Sequence, residues 1–167
     1  MADLELRRGL SVPVERVWQA FTDPEALAGW FWPRRFQTLV TSDLRVGGRY
    51  RIDGSAGGLA VSGEYLELEA PRRLRFGWQW DGHWELTEVN LALRASGHAT
   101  VLRLRHTGFF DDSTRDQHDL GWSDCLERLP GWLLASAPAV PGPRQTPRAR
   151  TEAGPGPARL TRSRLSR

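Results

Sequence analysis

The chain has 167 residues, 40% hydrophobic and 10% aromatic, which excludes a wholly disordered protein and fits one domain with an appendage. A domain of this size buries about two-thirds of its unfolded surface, so it needs neither a metal nor a disulfide to fold. The single cysteine, Cys125, excludes an internal disulfide framework and fits a reducing, cytoplasmic setting. No apolar run is long enough for a membrane helix, and the charged, alternating N-terminus does not read as a signal peptide.

All 23 basic residues are arginine, and they are unevenly spread. Residues 1–134 carry 16 Arg against 19 acids, a net of −3, whereas residues 135–167 carry 7 Arg against Glu152 alone, a net of +6. The globular part is therefore mildly acidic and a poor nucleic-acid surface. The segment 135–167 holds six of the eleven prolines and no aromatic residue. It has too little to bury to offset its ordering entropy, so a disordered tail is expected. An extension of no special role is one reading of it; an arginine-rich arm for nucleic acid or an acidic partner is the other.

In the ordered part, Leu4, Leu6 and Leu10 alternate with polar residues as a first strand. Ser11-Val12-Pro13 is suited to open a helix, with the serine as cap and Val14, Val17, Trp18 and Phe21 on one face. Asp23-Pro24-Glu25 starts a second short helix, in which Ala26, Leu27 and Trp30 pack and Phe31-Trp32-Pro33 stops the run. Successive strands are then predicted from Phe36 to His106. They comprise 36–42, a segment with Tyr50 and Ile52, 62–69 with Glu64, Leu66 and Leu68 on one face, and a stripe of Leu74, Phe76, Trp78 and Trp80. Two more follow, through Thr87, Val89, Leu91 and Leu93 and through Thr100, Leu102, Leu104 and His106. Asp81-Gly82 and Ser96-Gly97 mark turns. The longest helix is expected at about 113–135, capped by Ser113 with Asp116 three residues on. Its apolar stripe is Trp122, Cys125, Leu126, Leu129, Trp132 and Leu133, and Pro130 should kink or shorten it.

A one-faced antiparallel sheet must bury that face, and only the last helix is large enough to cover it. The expected fold is α+β, a curved antiparallel sheet of about six or seven strands wrapped around a long C-terminal helix.

This order of elements, with several local motifs, resembles the helix-grip fold of the START/SRPBCC superfamily. Within it, the chain is similar to the family related to the activator of the 90-kDa heat-shock protein ATPase. The carrying residues run from Pro13 through Val17-Trp18 to Asp23-Pro24-Glu25, then Trp30-Phe31-Trp32-Pro33, Val46-Gly47-Gly48-Arg49-Tyr50, Gly63-Glu64-Tyr65, Pro71-Arg72-Arg73-Leu74 and His106-Thr107-Gly108-Phe109. Gly121-Trp122 stands where the family's final helix opens. The resemblance covers about residues 4–134. It implies a hydrophobic cavity between sheet and helix, a small apolar ligand, an association with stress response, and no cofactor. Some superfamily members are cyclases or aromatases. The chaperone activator carries an additional N-terminal domain without counterpart in this chain.

Eight tryptophans supply aromatic walls with few polar handles, which suits a small aromatic ligand. The candidate ligand-binding residues are Trp30, Trp32, Glu64, Leu66, Phe76, Trp78, Trp80, His106, Trp122 and Leu126, with Trp84 a further candidate at a mouth. Core packing is the competing role for Trp18 and Trp78, and for Trp30 and Trp32 a lid and the core compete evenly. Arg8, Glu64 and His106 are polar residues on apolar registers. Either they project into the cavity, Arg8 pairing with Glu64, or strand ends and a one-residue slip take them to solvent. No hydrolase elbow, phosphate loop or dinucleotide fingerprint is present, and His83, His98, His106 and His118 lack metal-ligand spacing. Cys125 reads as inert packing, and the acids 111–119 as helix capping. The function expected is a binding module for a small hydrophobic molecule. A cyclase-like enzyme using His106 or Glu64 and a protein-interaction module are the rivals, and a homodimer is left open.

Overall fold

The structure, a computed structural model, describes residues 2–137. The expected tail lies outside the described residues from position 138 onward.

Strand β1 (Ala2–Leu10) leads into helices α1 (Val14–Thr22) and α2 (Pro24–Trp30). Six strands follow: β2 (Leu39–Ser42), β3 (Arg49–Gly54), β4 (Leu59–Glu69), β5 (Arg73–Trp80), β6 (Thr87–Ser96) and β7 (Ala99–Phe109). Helix α3 (Asp112–Ala135) ends the described chain. The strands form one antiparallel sheet in the order β1-β7-β6-β5-β4-β3-β2, curved around α3. The first strand thus lies beside the last, and the meander between them makes the rest of the sheet. This is the helix-grip architecture.

The period of two sets most of the inner face. Ile52, Val61, Leu74, Val89, Leu91, Leu102 and Leu104 are all buried there against Leu126, Leu129 and Leu133 of α3. Asp23 caps α2, its carboxylate accepting the Ala26 N–H at 3.0 Å. Helix α1 has Pro13 at its N-cap and no side-chain cap, so Ser11 lies too far upstream for the role expected of it. Asp111, not Ser113, caps α3 by accepting the Thr114 N–H at 2.7 Å. The helix then runs through Pro130 to Ala135, because Leu126, Leu129 and Leu133 hold it to the sheet on both sides of the proline. Gly121-Trp122 lies inside α3, well past its opening.

Two departures from alternation matter. Between Tyr65 and Glu67 the β4 register shifts by a residue against β5. Val61 and Tyr65 point inward before the shift and Leu68 packs on the core after it. Glu64 and Leu66 therefore belong to the outer face of the sheet, not to the Leu68 face predicted for them. Near the end of β7, Gly108 takes φ +93°, which is open to glycine. That bend lets Phe109 turn inward three residues after His106, and both side chains are fully buried.

Candidate functional site

A half-open cavity of about 410 Å³ lies between the N-terminal half of α3 and the adjoining ends of β4 and β5. Its wall is aromatic: Phe31 and Trp32 after α2, Trp78 and Trp80 from β5, and Trp122 from α3. Trp32 and Trp80 stack at 6.1 Å with planes 17° apart, and Trp78 and Trp122 meet at 5.1 Å. Behind this wall, Phe76 lines a void of only about 20 Å³ with Tyr50 and Tyr65 among its neighbours. Further along the grip, Leu91, Leu104, Leu126, Leu129 and Leu133 are buried in one apolar core.

Local structure explains why the wall stands where it does. Helix α2 ends at Trp30 and leaves carbonyls without helical partners. Arg128 of α3 donates to two of them, from Nε to the Trp30 oxygen at 3.1 Å and from Nη2 to the Phe31 oxygen at 2.7 Å. It is itself held by Asp124 at 2.6 Å. One guanidinium thereby fastens the Phe31-Trp32 wall to the helix opposite. Gly54 of β3 leaves room for Trp32, since a Cβ there would come within 2.7 Å of the indole ring.

His106 is fully buried but is not part of the cavity wall. The Trp122 Nε1–H donates to its Nδ1 at 3.0 Å. Its Nε2 must then carry the proton, which it shares with the Thr87 hydroxyl oxygen at 2.6 Å. Thr87 in turn donates to the Trp78 carbonyl at 3.2 Å. Burial, with the neighbouring His118 ring as a secondary cause, pushes the imidazole pKa down from 6.5 to about 2. A neutral ring with both nitrogens satisfied braces Trp122, and it is in no position to exchange protons with a ligand.

The polar part of the wall is different from the one expected. His118 accepts the Trp80 Nε1–H at its Nε2, 2.9 Å away, and donates from Nδ1 to the Thr114 carbonyl at 2.7 Å. Asp81 and Glu85 stand at the rim, with His83 between them. Asp81 is gripped by Arg51 at 2.9 and 2.7 Å, whose hydrogen bonds hold the carboxyl below its usual range. Glu85 accepts the Phe110 N–H at 2.7 Å. Among the described residues, no arginine lines the cavity and no cluster of three metal-ligating side chains occurs.

Of the residues singled out by sequence, Trp32, Trp78, Trp80 and Trp122 line the cavity and Phe76 lines the void behind it. Trp30 and Leu126 are core residues; the Trp30 indole donates to the Ala20 carbonyl at 2.9 Å. Glu64 and Leu66 face a separate groove on the outside of the sheet. Arg8 cannot meet Glu64, because β7, β6 and β5 lie between their strands, and its guanidinium instead donates to the Arg7 carbonyl at 2.8 Å. Trp84 is 79% exposed and packs on the equally exposed Phe110 at 6.1 Å. Sequence reasoning missed His118, although it stands four residues before Trp122 and so extends the helical stripe by one turn. Asp81, His83 and Glu85 sit in the turn after β5, where no periodic signal exists.

The fold and the half-open aromatic cavity are those of a helix-grip binding module. A family model for the activator of Hsp90 ATPase homolog 1-like protein matches residues 11–133, and the chain belongs to that family. Among solved structures, CV1439 from Chromobacterium violaceum is 30% identical with a TM-score of 0.67, over 78% of this chain and 96% of that one. CalU16 from Micromonospora echinospora is likewise 30% identical, with a TM-score of 0.64 over 78% and 75% of the two chains. DynU16, from the dynemicin biosynthetic locus, is 26% identical with a TM-score of 0.69 over 79% of this chain and 47% of its own length. No curated protein matches the sequence.

Proposed function

We propose that this domain binds a small hydrophobic, aromatic molecule in the cavity between β5 and the N-terminal half of α3. The observation that carries the reading is the wall itself: four tryptophans and a phenylalanine around about 410 Å³ of space, within the range of small-molecule sites. Filling such a space removes apolar surface from water and adds offset aromatic contacts. The place of DynU16 in a biosynthetic locus supports a small-molecule partner. The cyclase-like alternative loses its two candidate groups, since His106 and Glu64 both lie away from the cavity. A cytoplasmic location goes with this reading, on the strength of the single buried thiol of Cys125.

Native mass spectrometry before and after mild organic extraction tests the proposal, together with a tryptophan-fluorescence titration using aromatic hydrocarbons. A strippable small-molecule adduct, or saturable quenching, is expected. Bare protein that also fails to respond to any aromatic probe overturns it. A second reading, a protein-docking module, is favoured by the exposed Trp84–Phe110 pair beside the rim. Replacing both by Ser leaves the fluorescence titration intact under the first reading, and abolishes binding of a partner protein under the second.

A further inference from the structure

The hydrogen bond between Trp80 and His118 joins the two sides of the cavity, the end of β5 to the N-terminal half of α3. It depends on one protonation state. The Trp80 indole N–H can only donate, and the Thr114 carbonyl can only accept. The bond into His118 Nε2 at 2.9 Å and the bond from Nδ1 to Thr114 at 2.7 Å therefore require a neutral ring with its proton on Nδ1.

A second proton would go to Nε2 and set an N–H against the N–H of Trp80. The acceptor becomes a donor, and attraction becomes repulsion. The imidazolium stays in place, because its Nδ1–H bond to the Thr114 carbonyl, one helical turn back, strengthens with charge. The indole is the partner that gives way. Trp80 is the last residue of β5 before the connection to β6 and is only partly buried. Its other holds are the stack on Trp32 at 6.1 Å and the edge of Trp78 at 5.6 Å.

The titratable groups around His118 come from three segments. His106 of β7, 5.2 Å away between ring centroids, has its pKa pushed down to about 2, chiefly by burial. From the connection after β5, Asp81 is held below its usual range by Arg51, and His83 and Glu85 share the cavity lining. On α3 itself, Arg115 is paired with Asp112 and Asp116, Asp119 adjoins His118, and the Cys125 thiol is pushed up to about 12, chiefly by burial.

We propose that His118 is a positioning residue for the cavity and makes it acid-sensitive: while neutral it holds the Trp80 indole in the wall, and on gaining a proton it lets the indole go, so that the site weakens its hold on an aromatic ligand as the solution is acidified. This rests on the aromatic-binding function proposed above, and adds to it a pH-dependent latch.

The test uses the full chain and fluorene, which has no ionisable group, so that any pH dependence belongs to the protein. In a tryptophan-fluorescence titration fluorene should bind about five- to tenfold more weakly at pH 5.5 than at pH 8.0, the worth of one lost hydrogen bond. His118→Gln keeps an acceptor for Trp80 and does not titrate. Its affinity should match that of the native protein at pH 8.0 and stay constant with pH. His118→Leu should bind weakly at both values. A second readout needs no ligand: the indole N–H signal of Trp80 in heteronuclear NMR, identified by its loss in Trp80→Phe. It should move upfield on acidification of the native protein and stay fixed in His118→Gln. A Trp80 signal of the native protein that ignores pH between 8.0 and 5.5 overturns the latch, whether or not any variant folds. A signal that moves while fluorene binds equally at both pH values overturns the role in binding and leaves the aromatic site intact. A pH dependence that survives in His118→Gln belongs to another group, such as His83 or Glu85, and overturns the role of His118. Failure of fluorene to bind at pH 8.0 counts against the aromatic-binding reading instead, and the Trp80 signal still decides the latch.

Discussion

Replacing His106 by Gln isolates the free energy tied up in a buried neutral imidazole. In the folded protein the ring keeps its pKa near 2, whereas a histidine in the unfolded chain protonates near its ordinary 6.5. Between those values the unfolded state binds the extra proton, so stability falls as the solution is acidified. The slope is about 1.4 kcal/mol per pH unit below 6.5, which makes the loss about 2 kcal/mol at pH 5. Above pH 6.5 the contribution is fully present. A Gln amide can still accept from Trp122 and donate to Thr87, but it does not titrate. The variant should therefore carry a cost that is constant with pH, of order 1–2 kcal/mol for poorer geometry. Urea unfolding of both proteins at pH 7.5, 6.5, 5.75 and 5.0 measures the difference. The native protein's advantage should shrink by about 2 kcal/mol across that range. Carboxylates titrate in both proteins and cancel. An advantage that stays constant within about 0.5 kcal/mol would show that His106 is not held neutral, and the bracing network of Trp122, His106 and Thr87 would have to be redrawn.

Three further outcomes follow from the same geometry. Gly54→Ala drives a methyl group toward the Trp32 ring and should cost about 1–3 kcal/mol of overpacking strain. It should also weaken binding of an aromatic probe by displacing the wall; unchanged affinity for fluorene in the folded variant would count against Trp32 as part of the site. Gly121 lines the cavity on a helix, and a Cβ there meets nothing within 4 Å. Gly121→Leu should therefore stabilise α3 by about 0.8 kcal/mol through helix propensity while reducing probe affinity, and a gain in both would refute the placement of the cavity. The Cys125 thiol, buried and pushed up to about 12 chiefly by that burial, should resist a thiol reagent at pH 8 until denaturant is added; rapid labelling of the native protein would contradict its burial.

Much of the fold was legible because it rests on periodicity. The alternation through Leu91 and Leu104, and the spacing of Leu126, Leu129 and Leu133, each state which face is buried before any neighbour is known. The cap at Asp23 was legible for a similar reason, since it needs only four residues in a row. The site was less so, for three physical causes. The bulge after Tyr65 shifts the register by one residue, so Glu64 and Leu66 took the wrong side of the sheet from a pattern that read correctly further along. An ion pair of Arg8 with Glu64 depended on strand adjacency, and the order of the sheet places three strands between them. The rim carboxylates Asp81 and Glu85 belong to a turn, whose conformation is set by contacts such as those to Arg51 and Phe110 and not by any repeat in the sequence.

The position of the cavity is decided by a change of composition along one face of one helix. Toward its C-terminal end, α3 presents Leu126, Leu129 and Leu133, which are branched and large enough to fill the space against the sheet. Toward its N-terminal end the same face presents Thr114, His118 and Gly121. Thr114 and Gly121 are too small to fill the space, and His118 is spent on the edge of the Trp80 indole, whose N–H it accepts. The helix axis cannot move inward to compensate, because Leu129 is already fully buried and Arg128 pins the helix to the end of α2. The gap is therefore built into the register of α3. Its aromatic lining is supplied by segments whose own folding is local: the strand period places Trp78 and Trp80, and the stop after α2 places Phe31 and Trp32. A ligand that fills the gap need not remodel the fold, since each wall segment is already fixed by contacts outside the cavity.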